Sequence, residues 1–157
     1  MRAMSNGNAI FQRRIRQAIK ASTIEVQDEA QTNHRFTSRT GQLERSIDVK
    51  FNENSGIVYI DSQSAPHGPF VHQGTMAHDI FPKNKNALRW VAQGGSAFHF
   101  AKRVHHPGTK SDPFLYKALK SKRDTIRNIF ARYTRTALKE VIDNEHSKEY
   151  SYTIRFK

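Results

Sequence analysis

Along the first thirty residues, Phe11, Ile15, Ala18, Ile19, Ser22, Val26 and Ala30 recur at three- and four-residue steps, while Arg13, Arg14, Arg16 and Lys20 take the positions between. That spacing predicts an amphipathic helix from about residue 6 to 33. Ser38 to Gly41 breaks the pattern. The period then becomes two: Ile47, Val49 and Phe51 alternate with Asp48 and Lys50, Asn52 to Gly56 reads as a turn, and Ile57 to Ile60 is a β-branched return strand. Residues 62–79 are loop-like, with Pro66, Gly68, Pro69 and Gly74 around a short apolar insert, Phe70-Val71-His72. Ala87 to Ala92 fits either strand or helix. Phe98, Phe100 and Val104 fit one strand with His99 and Arg103 on its polar side, ended by Pro107-Gly108.

From Asp112 onward the helical period returns. Pro113 suits a first helical turn, and Leu115, Leu119, Ile126, Ile129, Phe130, Tyr133 and Ala137 form one stripe that extends to about Asn144. Lys117, Lys120, Arg123, Arg127 and Arg135 fall on the opposite side. The chain ends with Tyr150, Tyr152, Ile154 and Phe156 alternating with polar residues, a terminal strand in search of a sheet edge. The expected fold is α+β: two long amphipathic helices packed on a small, mostly antiparallel sheet. Residues 1–144 form one domain in this reading, and 145–157 a C-terminal strand or arm that pairs between subunits. Trp90, Phe98, Phe100 and Phe114 are expected in the core. Gly41, Gly74 and Gly108 are expected at tight turns, and Pro82, Pro107 and Pro113 at element boundaries.

At 157 residues the chain suits one domain able to bury its own core. Its zero cysteines remove disulfides, thiolate metal sites and thiol nucleophiles. No apolar run approaches the ~20 residues of a membrane span, and Met1 to Asn8 lacks the apolar stretch of a signal peptide; a soluble protein that stays where it is made is expected. The formal charge of +12 adds a demand for polyanionic or acidic partners. Between Lys102 and Lys139 alone there are 11 Lys or Arg against Asp112 and Asp124. Such a stretch is either a solvated helix face or a surface turned toward DNA phosphates or an acidic subunit.

Six of the eight histidines, His67, His72, His78, His99, His105 and His106, lie in the central third. Their spacing matches no compact metal-ligand motif, and no acid or base partner constellation stands beside them. No Gly-x-Ser-x-Gly elbow, phosphate loop or dinucleotide fingerprint is present. The reading is therefore non-enzymatic, with no cofactor and no metal. A basic nucleic-acid-binding protein or small histidine-based nuclease is the rival.

The order of short motifs carries more than any one of them. Arg39-Thr40-Gly41-Gln42-Leu43-Glu44-Arg45-Ser46-Ile47 precedes the hairpin, and Ala65-Pro66-His67-Gly68-Pro69-Phe70-Val71-His72-Gln73-Gly74-Thr75 follows it. Then come Ile80-Phe81-Pro82-Lys83 with Ala87-Leu88-Arg89-Trp90, the run Phe98 to Val104 with His105-His106-Pro107-Gly108-Thr109, and Asp112-Pro113-Phe114-Leu115 with Ala118-Leu119. From Phe11 to Ala137 the chain resembles the neck and tail-completion family of long-tailed bacteriophages, whose members are described as phage tail components or minor tail proteins of the Z type. It departs from the family pattern in its proline-rich Ser64 to Val71 and in its extended tail.

The resemblance implies a virion protein that assembles as a ring, with a hexamer expected, at the head–tail junction or the top of the tail. It also implies adjacent head-closure or connector rings and tail-terminator or tail-tube proteins as partners, with non-specific DNA in the lumen and no membrane. The protein would pass through the host cytoplasm during assembly. A tail-terminator ring is the alternative within the class. Lys117, Lys120, Arg123, Arg127 and Arg135 are the candidates for facing DNA or an acidic partner. His67, Phe70, His72, His78, His105, His106, Tyr150, Tyr152, Ile154 and Phe156 are the candidates for contacts between subunits or rings.

Overall fold

The computed structural model describes residues 2–91 and 94–149. The amphipathic start forms helix α1 (Arg2–Thr32), followed by a short turn of helix α2 (Gln42–Arg45) and the hairpin β1 (Ile47–Phe51) and β2 (Gly56–Ile60). Helix α3 (Gly68–Gln73) precedes four strands, β3 (His78–Ile80), β4 (Leu88–Val91), β5 (Phe98–Ala101) and β6 (Val104–His106). Two helices close the described chain, α4 (Phe114–Ser121) and α5 (Arg123–Glu149). The α+β class is as expected. In place of one small sheet, however, there are three antiparallel two-stranded ladders, β1–β2, β3–β6 and β4–β5.

The first hairpin has the expected register, with Ile47 opposite Ile60 and Phe51 opposite Gly56. β4 and β5 are nested inside β3 and β6, so residues 78–106 form one double hairpin, here called the arm. An isolated bridge between Thr75 and Thr109 closes its root. Gly74 and Gly108 stand at this root with φ of +79° and +90°. A Cβ on Gly74 would lie 2.7 Å from the Thr109 carbonyl oxygen, so both the backbone angle and the space require glycine. Gly41 also takes positive φ, at +67°, before α2.

α1 and α5 run antiparallel. Arg13 meets Glu140 at 2.9 Å near one end, and Lys122 meets Glu25 at 3.1 Å near the other. Ala18, Ala30, Ala118 and Ala137 are fully or almost fully buried, and these small residues let the helices approach closely. The core continues through Val26, Leu43, Ile47, Ala65 and Phe114, with Phe36, Val58, Ile60, Val71, Leu115 and Ile126 packed around it. Ile47 faces inward and its carbonyl accepts from the side-chain amides of Gln27 and Gln31 at 2.8 and 3.1 Å, which ties the hairpin to α1.

The structure corrects several expectations. Residues 62–79 are not all loop, because Gly68–Gln73 is helical. Gly68 lies against Ile60 and Leu43 with no room for a Cβ, and that close approach seats the short helix. The strand expected from Phe98 to Val104 is two strands belonging to different ladders. The ambiguous Ala87 to Ala92 contains strand β4. The second long helix is two helices meeting at Lys122, and the latter continues to Glu149. The terminal strand expected at Tyr150, Tyr152, Ile154 and Phe156 lies outside the described residues.

One buried carboxylate joins the parts. Asp112, whose side chain is only 6% exposed, accepts hydrogen bonds from the backbone N–H groups of Arg35 and Phe36 at 2.6 and 3.1 Å and from Lys117 Nζ at 2.5 Å. Burial alone would raise its pKa. The Lys117 hydrogen bond, the Arg35 backbone N–H and the Lys117 charge outweigh that, and hold it at about 2 against an ordinary 3.8. A depressed carboxylate contributes its stabilisation fully above its unfolded pKa and loses it as pH falls toward the folded one. The protein should therefore lose roughly 2 kcal/mol between about pH 4 and pH 2 from this group alone. In Asp112→Asn, thermal melts at neutral pH should drop by the corresponding amount, and the extra acid sensitivity over that interval should vanish; an unchanged pH profile would contradict the assignment.

Candidate functional site: an aromatic arm, an apolar groove and a divided basic face

On the β4–β5 ladder, Arg89 stands opposite Phe100 and Val91 opposite Phe98, which puts these four side chains on one face. Trp90 and His99 lie on the other, stacked with ring centroids 5.7 Å apart. Phe98 and Phe100 are 55% and 66% exposed and Trp90 41%, so the expectation that these three belong to the core is wrong. Strand alternation does mark their faces. It cannot say whether anything covers them, and β4 and β5 pack chiefly on each other. Phe114 alone of the four expected core aromatics is fully buried. The Arg89 guanidinium lies 4.5 Å from the Phe98 ring centroid.

The histidines sort by strand position. His78 and His106 face each other across β3–β6 with ring centroids 5.1 Å apart. His105 is on the opposite face, where its Nδ1 lies 3.0 Å from Asp79 Oδ1 and Arg103 pairs with Asp79 Oδ2 at 3.0 Å. The structure thus brings two of the contact candidates, His78 and His106, together on one face of the ladder and puts His105 on the other, where Asp79 joins it to Arg103. Among the described residues no group of three or more His, Cys, Asp or Glu is placed to hold a metal. His67 is exposed at the start of α3, and Phe70 is exposed on it. Tyr150, Tyr152, Ile154 and Phe156 lie outside the described residues.

His72 points the other way from Phe70. Its ring meets Phe114 edge-on at 5.2 Å, burial lowers its pKa against the pull of Asp112, and its Nε2 is buried without a hydrogen-bond partner among the described residues. This side chain lines a groove of about 490 Å³ between α1, β2, α4 and α5, whose walls include Ile19, Val26, Val58, Leu115, Leu119 and Phe130. Ser22 also lines it, with its hydroxyl buried and unpartnered. Leu119 and Tyr116 stand exposed at the rim. Their exposure is the signal that the helical stripe alone did not give: Leu119 shares the spacing of Leu115 and Ile126, yet stays half-open to solvent.

The basic candidates do not act as one surface. Lys117 is committed to the buried Asp112, and Arg127 pairs with Asp124 of its own helix at 2.9 Å. Lys120, Arg123 and Arg135 are exposed. Lys122, which the stripe did not mark, is turned to α1, where it meets Glu25 at 3.1 Å and Glu29 at 3.7 Å. The outward side of α5 also carries the exposed Leu138 and Ile142. Among the described residues no helix is long and apolar enough to cross a membrane.

No family model matches the chain, and neither a curated protein nor a solved structure matches it.

Lys117→Ala should destabilise the fold by about 1–3 kcal/mol, because it leaves a buried carboxylate short of its donor. Lys120→Ala, Arg123→Ala and Arg135→Ala should each stay within about 0.5 kcal/mol of the parent in urea unfolding. Equal costs at all four positions would remove the division between structural and available charge.

Proposed function

We propose that this chain is a structural protein of a tailed bacteriophage that forms a ring at the head–tail junction or the top of the tail. Its role is assembly, without catalysis. The observation that carries the reading is the arm: a double hairpin bearing exposed Phe81, Trp90, Phe98 and Phe100, attached to a body whose own core is complete without it. Within it, Val91, Phe98 and Phe100 share one exposed apolar face, the kind of surface that marks an interaction site. The ordered motif run from Arg39 to Leu119, with its likeness to the neck and tail-completion family, supplies the kind of particle.

In this role the body is the rigid unit, held by the α1–α5 pair and the Asp112 junction. The exposed ladders and α3, with Phe70, His67, His78, His105 and His106, provide contacts to neighbouring subunits or stacked rings. Lys120, Arg123 and Arg135 offer unspecific charge to DNA in the lumen or to an acidic neighbour. Phosphate contacts of this sort position a duplex without reading its sequence.

Cryo-electron microscopy of particles from the source tests the reading. Density at the head–tail junction or tail top should accommodate this chain as a symmetric ring, six-fold in the expected case. Absence of the chain from purified particles would overturn the proposal. Salt-sensitive duplex binding by the isolated monomer would then favour the nucleic-acid-binding rival.

A further inference from the structure

We infer that the Trp90–His99 face of the arm binds a nucleic-acid strand with unpaired bases, a base stacking on the paired rings while Lys83, Lys85 and Lys102 hold adjoining phosphates. The contact concerns the chain by itself and goes beyond the ring reading, which asks only for unspecific charge near DNA. The first observation is the platform. Trp90 and His99 stand opposite each other on β4 and β5, stacked with centroids 5.7 Å apart at 26°, and both are exposed. The free side of such a pair is a flat π surface, and every base has a matching face, so stacking of this kind tolerates any sequence. Residues 94–97, Gly-Gly-Ser-Ala, put no bulky side chain at the turn beyond the rings, and a Cβ built on Gly94 would meet nothing within 4 Å.

The second is the charge beside it. From Ile80 to Ser111 there are six Lys or Arg and no Asp or Glu. The carboxylates that bracket this run are both occupied, Asp79 by Arg103 and His105, and Asp112 by Lys117 and Arg35. Register places the cations. Ile80 is opposite Val104 and Leu88 is opposite Ala101, so residues 81–87 and 102–103 are the two sides of one junction between the ladders. Lys83, Lys85 and Lys102 belong to that junction, all exposed and without an ion pair among the described residues. The Leu88–Ala101 pair that borders it is two residues from Trp90–His99, about 7 Å along a strand. A strand with one base on Trp90 therefore has its next phosphates at the level of the lysines.

Other polyanions account for one feature and not the other. An acidic protein would use the lysines and leave the stacked rings without a role. A bilayer takes up rings that share one side, whereas Trp90 and the Phe98–Phe100 pair stand on opposite faces of a two-stranded ladder. Duplex DNA offers phosphates but keeps its bases inside its own stack, while an unpaired strand presents them to aromatic side chains. The Phe98–Phe100 face is not used by this contact and stays available to a neighbouring subunit.

The test is a titration of the full chain. Trp90 is its only tryptophan, so its fluorescence reports the stacking directly. Oligothymidylate and oligouridylate of about 12 nucleotides should quench it; quenching by either supports the contact, and the tighter of the two tells DNA from RNA. Anisotropy of the labelled oligonucleotide gives the affinity, and circular dichroism checks the fold of each variant. Trp90→Ala should weaken binding about tenfold, and Trp90→Phe, which keeps a ring, should restore most of the loss. Lys83→Gln with Lys85→Gln, outside the strands, should weaken it at least about tenfold and lower the slope of log affinity against log salt by about 1.4. Arg39→Gln with Lys50→Gln removes the same charge elsewhere and should cost less than about threefold. Should Trp90→Ala lose its fold, quenching in the parent and the lysine pair still decide. Four results would overturn the inference: no quenching at saturation, a duplex of equal length bound as tightly as the single strand, polyglutamate competing as well as oligothymidylate at equal charge, or equal costs for the two charge-removing pairs. A blue shift of Trp90 on phosphatidylglycerol vesicles, with no quenching by oligonucleotide, would give the rings to a membrane instead. Presence of the chain in particles without quenching would defeat this contact and leave the virion reading standing. Quenching with no chain in particles would do the reverse.

Discussion

The structure depends most on the carboxylate of Asp112, because it holds three parts of the chain that have little else in common. The segment leaving α1 presents the N–H groups of Arg35 and Phe36, the root of the arm delivers Asp112 itself, and α4 sends back Lys117. A charge this deeply buried is tolerated only when its partners are all present. The position of each segment is therefore conditional on the others. Phe114, two residues on and fully buried against Phe36 and His72, uses the same junction as its packing site. The N–H of Asp112 also donates to the Val71 carbonyl at 3.0 Å, which attaches α3 to the same point.

Where local period and core coincide, the fold was legible before the structure. α1 has its buried line at Ala18, Ser22, Val26 and Ala30, the positions that the helical spacing picks out, and the β1–β2 register follows from alternation and the Asn52 to Gly56 turn. The positive φ of Gly41, Gly74 and Gly108 likewise sits where turns were expected. The failures share one physical cause. Periodicity reports which residues share a face, not what lies against that face. Phe98 and Phe100 do share one, yet both stay more than half exposed, because among the described residues β4 and β5 pack chiefly on each other. The helical stripe similarly grouped Lys117 with Lys120 and Arg123, although Asp112, five residues upstream, engages the Lys117 ammonium and sets it apart from those two. α3 escaped notice because proline and glycine at residues 68 and 69 suit a first helical turn as well as they suit a loop.

The same distinction governs the charge. A formal +12 suggests a uniformly basic object, yet part of it is spent inside the fold. Arg13 and Arg14 both engage Glu140, Lys122 bridges to Glu25 and Glu29, and Lys117 with Arg35 serves Asp112. These pairs join helices to each other and withdraw cations from any outside partner. Among the described residues the cations outside such pairs stand on the arm and the outer side of α4 and α5, and also at Lys20, Arg39, Arg45 and Lys50, so less charge is available to a partner than the composition implies.

Body and arm also differ in what sustains them. The body has its own core, from Val26 through Leu43, Ile47 and Ala65 to Phe114 and Ala118, with no residue of the arm in it. The arm is two nested two-stranded ladders, and an isolated hairpin of that kind is marginal in water. Its root is secured by the Thr75–Thr109 bridge and by glycines that let two backbones touch, but that support ends where β3 and β6 end. Beyond it, the large rings of β4 and β5 face solvent, an arrangement that lowers stability for a lone molecule and gains it only when another surface covers them. In the proposed ring, covering those rings would be the physical work of the arm, while the body keeps its shape through a core to which the arm contributes nothing.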